Sequence, residues 1–146
     1  MNWQEVLSEN GYRVSEPRRL VMQLLENSSQ PLTPLQIYSA LLQSGNTLGM
    51  VSVYRALELL TELCLVCLVY NSDGSPGYVL GMGGHHHHIL CQSCHKAASF
   101  AGSEDLSALI EKVEADTNYR VKDHLLQLYG ICPACQEKQS VRQEGN

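Results

Sequence analysis

Six cysteines and six histidines hold most of the reactive chemistry of this 146-residue chain. The cysteines fall into three pairs of one spacing, Cys64-Leu-Val-Cys67, Cys91-Gln-Ser-Cys94 and Cys132-Pro-Ala-Cys135. A Cys-x-x-Cys pair can place two thiolates on one tetrahedral ion, and a second pair closes the site. Cys91, Cys94, Cys132 and Cys135 therefore read as a structural zinc site, one Zn2+ per chain. The segment between the pairs is longer than a zinc-ribbon loop, so a helix and a strand must fold back to join them. The start, MNWQEVLSEN, carries two acids and no basic apolar leader, so the expectation is a cytoplasmic protein without a disulfide framework.

Four histidines, His85, His86, His87 and His88, are consecutive, and His124 precedes Cys132. On a strand alternate side chains point to opposite faces. His86 and His88 then share one face and His85 and His87 the other, so one strand can serve two metal sites. Cys64 is expected to be a small buried residue, and Cys67 stands where a helix hands over to a strand.

Positioning these groups requires two units, an α+β arrangement. In residues 1–80, Trp3 to Asn10 is a short helix ended by Gly11. Ser15 caps a helix carrying Leu20, Val21, Leu24 and Leu25 at helical spacing. Thr33 caps the next, with Pro34 at its first position. Val51 to Leu63 forms a third, with Ser52 as cap candidate. Leu65 to Tyr70 and Tyr78 to Leu80 flank the turn NSDGSPG and read as a hairpin. Helices followed by a hairpin give a winged helix, a helix-turn-helix variant. The stretch GMGG, residues 81–84, is the hinge. Residues 85–137 read as a small α+β unit with strands at His88 to Leu90, Ala97 to Phe100 and Leu125 to Ile131, and a helix capped by Ser103. Residues 138–146 read as a polar, frayed tail.

The net charge of −5 and isoelectric point near 5.6 exclude nucleic-acid binding by bulk positive charge, but not local readout. Tyr54 and Arg55 lie early in the third helix, where a recognition helix reaches base edges. Arginine reads guanine, and tyrosine meets phosphate or the thymine methyl. Arg18 and Arg19 add to the basic surface. Through Leu80 the cations are Arg13, Arg18, Arg19 and Arg55 against seven acids, so affinity requires a dimer using two such sets.

Taken together, the GYR start, VSVYRALELL, HHHHILCQSC, HLLQLYGIC and CPAC resemble the ferric uptake regulator family of metal-sensing repressors over nearly the whole chain. The resemblance implies a homodimer paired through its C-terminal units, with winged helices that bind palindromic double-stranded DNA when a regulatory metal is loaded. It implies a cytoplasmic regulator and not an enzyme, with no membrane and no small-molecule substrate. Of the five hinge ligands of the iron and peroxide branches, only His86 and His88 are matched. Pro31, Val79 and Ser99 stand at or near the others. The zinc uptake branch is the better match. It resembles this chain in taking a ligand soon after the recognition helix, where Cys67 stands in CLVC. Its cysteine after the YVL-like strand is replaced by Gly81. The implied regulatory set is Cys67, His86 and His88, with the fourth place open to water, Met82 or a neighbour. One thiolate and two imidazoles suit Zn2+. An additional site would use His85, His87 and His124, with Glu104 substituting for an acid whose position falls on Ser107. The rival readings are an iron-, manganese- or peroxide/thiol-responsive member of the same family, the last through Cys64 and Cys67. A metalloenzyme is disfavoured, because neither Ser99 nor Gly81 supplies a base.

Overall fold

The computed structural model describes residues 2–83, 86–102 and 106–144. The N-terminal unit holds α1 (Trp3–Glu9), α2 (Glu16–Glu26), α3 (Pro34–Gln43) and α4 (Met50–Glu62), then β1 (Val66–Tyr70) and β2 (Pro76–Leu80). Each helix buries one stripe. Val21, Met22 and Leu25 of α2, Ile37 and Leu41 of α3, and Val53, Leu57 and Leu60 of α4 meet in one cluster closed by Trp3 and Leu7. The α3 start is set by a capping box. Thr33 Oγ1 accepts from the Gln36 amide at 3.2 Å, and Gln36 Oε1 accepts from the Thr33 amide at 2.8 Å. The α4 cap is Gly49 rather than Ser52, which lies inside the first turn.

The hairpin pairs Cys67 with Val79 and Tyr70 with Pro76. A short bridge between Leu32 and Tyr78 widens this wing to a third segment. A single bridging residue has no periodicity and leaves no mark in the sequence.

In the C-terminal unit, β3 (His86–Cys91) lies between β4 (Ala97–Ala101), antiparallel, and β5 (Gln127–Gly130), parallel. The crossover carries α5 (Ser107–Thr117). The expected cap, Ser103, lies outside the described residues, and Leu106 precedes the helix rather than sitting in it. The tail is not frayed from Gln136. Helix α6 (Pro133–Glu144) starts inside CPAC, where Cys132 O accepts from the amides of Cys135 and Gln136, and it crosses the expected boundary at residue 138. Good helix formers after Pro133 carry it on without an apolar stripe.

The units touch through a few polar contacts. Gln127 Oε1 accepts from the Tyr70 amide at 2.8 Å, and Gln127 Nε2 donates to Tyr70 O at 2.6 Å. Gln30 Nε2 donates to Cys94 O at 2.7 Å. The two cores are unequal. Among the described residues, the buried apolar side chains of the second unit are Leu90, Cys91 and Cys135, beside buried His87 and His88.

Candidate metal centres and nucleic-acid surface

Cys91 ends β3, Cys94 sits in the turn to β4, Cys132 follows β5 and Cys135 opens α6. The parallel pairing of β3 with β5 brings the two Cys-x-x-Cys turns side by side. Their four Sγ atoms all lie within 4.8 Å of one another, and Cys94 Sγ is 3.6 Å from Cys132 Sγ. Tetrahedral ligation with metal–sulfur bonds of about 2.3 Å needs sulfurs about 3.8 Å apart. The backbone is arranged for thiolate. The amides of Cys132 and Cys94 point at Cys91 Sγ from 3.3 and 3.5 Å. Those hydrogen bonds, Cys132 first, lower the Cys91 pKa from 9.0 to about 6. The thiolate therefore stabilises the fold fully above about pH 9, and that contribution is lost as pH falls through about 6. The donor set fits a closed, four-coordinate metal site.

Among the described residues, no other three ligand atoms converge in this way. The hinge donors share a cavity instead. Cys67 from β1 and His86 and His88 from β3 line one cavity of about 340 Å³ between the units, together with Cys64, Asp123 and His124. Burial and then the Cys64 thiol raise the Cys67 pKa. Burial, then His86 and His87, lower that of His88. At neutral pH the site thus presents a neutral His88 imidazole ready to bind a cation and a Cys67 thiol that must first lose its proton. Met82, offered as a fourth ligand, lies elsewhere. It lines a separate cavity that His88 also borders, and its sulfur accepts a hydrogen bond from Ser99 Oγ at 2.8 Å.

The His87 ring lies 5.6 Å from that of His124 and 5.6 Å from that of Phe100. The other members of the additional set, His85 and Glu104, lie outside the described residues.

Two residues of the hinge cavity were not anticipated. Asp123 precedes a strand in a polar stretch that has no motif. Cys64 was expected to be buried and is exposed. It is the residue after the α4 C-cap Leu63, with φ 55°. Its amide donates to Thr61 O and that of Leu65 to Leu60 O, the Schellman pattern. Glycine is the usual residue at that place, and another L-residue in a left-handed conformation costs about 1–2 kcal/mol. A cysteine at the end of an apolar helical period was the available signal.

On α4, Tyr54 and Arg55 are exposed, Tyr54 at 52%, and Ser52 is half-buried. Arg18 lies over the Tyr12 ring at 5.5 Å and donates to Arg13 O at 2.7 Å, while Arg19 donates to Gln23 Oε1 at 3.0 Å.

A winged helix followed by an α+β unit with a four-cysteine cluster fits the class of metal-responsive DNA-binding regulators. The family model described as the ferric uptake regulator family matches residues 9–129. The chain is 33% identical over 139 residues to the ferric uptake regulation protein of Bacillus subtilis, covering 92% of each. It is similar to the structure of the ferric uptake regulator from Francisella tularensis with iron, at 28% identity and a TM-score of 0.58, over 86% of this chain and 96% of that one. The fold is shared more closely with a zinc uptake regulator complexed with zinc and DNA, with a TM-score of 0.78 at 18% identity over 94% and 93% of the two chains. The chain belongs to the ferric uptake regulator family and is a metal-responsive regulator.

Proposed function

We propose that this protein is a zinc-responsive transcriptional repressor that binds palindromic DNA as a homodimer in the cytoplasm and controls metal uptake genes. One observation carries the reading. Cys67, on the wing of the DNA-binding unit, and His86 and His88, on the other side of the hinge, line one cavity. A divalent ion bound there supplies a bond between the units. Cys67 and the two imidazoles approach it from different units, so only some orientations satisfy all three. A ligand shifts such an equilibrium through its differential affinity for the two states, and donors that span the hinge provide that difference. A thiol with imidazoles favours zinc over iron or manganese. Cys91, Cys94, Cys132 and Cys135 hold a second, structural zinc, and the set of His85, His87, His124 and Glu104 is a further candidate site.

Cys67→Ser abolishes zinc-dependent DNA binding and leaves the structural zinc in place. Elemental analysis with a mobility-shift assay checks both, and unchanged zinc activation contradicts the reading. The pH dependence has a definite sign. Cys67 loses a proton on binding, so the affinity of the hinge ion rises with pH by about tenfold per unit for each proton released. A pH-independent zinc titration contradicts this assignment.

Dimerisation is supported by α5, which buries none of its residues in the single chain. Leu109 and Val113 on it, and Leu128 on β5, are exposed apolar side chains that a second copy would cover. Leu109→Asp gives a folded monomer in sedimentation equilibrium, and an unchanged dimer contradicts this pairing.

A further inference from the structure

We propose that Cys64 is the fourth ligand of the hinge site, so that a thiophilic divalent ion is held there by two thiolates, Cys64 and Cys67, and two imidazoles, His86 and His88. This rests on the hinge reading above and completes its ligand set.

Cys64 lines the same cavity as the other three donors. A divalent ion bound between the two thiols takes both as thiolates, and both protons leave to solvent. The other wall of the hinge cannot supply the ligand. A Cβ on Gly81 would run into the Cys64 carbonyl oxygen, and the Gly81 amide donates to Leu65 O at 2.9 Å. This contact excludes any side chain at Gly81 and fixes the backbone of Cys64 against the hinge. Of the neighbouring donors, Met82 lines an adjoining cavity and its sulfur accepts from Ser99 Oγ, Asp123 Oδ1 accepts from the His124 amide at 2.8 Å, and the His124 ring lies beside that of His87. Thr61, whose buried hydroxyl has no hydrogen-bond partner, also lines the cavity and offers a donor to a bound thiolate. Two thiolates with two imidazoles form a Cys2His2 set, which selects zinc or cadmium over iron and manganese.

The test exploits the left-handed conformation of Cys64. Glycine is the usual residue there, so Cys64→Gly relaxes the backbone while removing the thiol. Full-length protein, with zinc in the four-cysteine site, is titrated with cobalt(II) under reducing conditions, and the thiolate-to-cobalt charge-transfer absorption is read. The expected result is that Cys64→Gly and Cys67→Ser each halve the wild-type intensity. Each also weakens binding by at least roughly the 10–100-fold that loss of an outer-shell partner costs. With the four-cysteine site filled and the hinge ion absent, Cys64→Gly melts at or above the wild-type temperature, which separates ligand loss from misfolding. Wild-type intensity and affinity in Cys64→Gly, with loss in Cys67→Ser, overturn the role of Cys64 and leave the hinge reading standing. Absence of any exchangeable cobalt site in the wild type overturns both.

Discussion

Cys132→Ser releases the ion of the four-cysteine site and unfolds the three-stranded sheet, while the winged helix keeps its helices. The reason is the distribution of burial. Fourteen residues between Trp3 and Val66 form one closed core, which needs nothing from the second unit. Among the described residues, the second unit buries Leu90, Cys91 and Cys135 beside His87 and His88. A domain with so small a core depends on a staple. Binding of a structural zinc contributes on the order of 10 kcal/mol of folding free energy, as much as the whole stability of an ordinary domain. The serine leaves three thiols, and the two Cys-x-x-Cys turns no longer close on one ion. Amide hydrogen exchange checks this residue by residue. The expected pattern is lost protection in β3, β4 and β5 with protection retained in α2 and α4. Full protection of β3 in the variant contradicts the assignment.

Arg55→Ala weakens binding to cognate DNA without changing metal content or melting temperature. Arg55 is exposed on α4, and its neighbours Val53, Ala56 and Leu57 carry the packing. A bidentate arginine contact to guanine is worth about 1–3 kcal/mol. The proposed homodimer uses it twice, so the expected loss is about 2–6 kcal/mol, or about 30-fold to 20,000-fold in affinity. The discrimination at one base pair per half-site relaxes with it. A fluorescence-anisotropy titration reads both effects. Equal affinity in the variant would place the DNA on another surface.

Much of this was legible in the sequence because local rules and fold agree. Thr33-Pro34 with Gln36 three residues on is a capping box by type and by geometry. The paired cysteines pointed to one four-thiol cluster before any strand was placed, and their Sγ atoms do meet within 4.8 Å. What escaped depended on information that spacing lacks. Cys64 was misread because burial was inferred from its apolar neighbours. Its exposure follows instead from the left-handed turn that ends α4, a property of backbone handedness. Helix α6 escaped because a polar helix has no hydrophobic period. It is nucleated by Pro133 and the turn at Cys132, then carried by propensity. Asp123 entered the hinge cavity through the fold-back of β5, which no local pattern announces.

In the proposed mechanism an ion held across the hinge by Cys67, His86 and His88 controls DNA binding. The most direct measurement is the affinity of the full-length protein, with its four-cysteine site filled, for a duplex it selects from a random-sequence pool in the presence of zinc. That affinity is measured with the hinge ion present and after a chelator has removed it alone. The expected result is a fall of about 5- to 150-fold or more on removal, the usual range of such couplings. Affinity returns with zinc, and Cys67→Ser does not respond. Equal affinity with and without the exchangeable ion would contradict the mechanism.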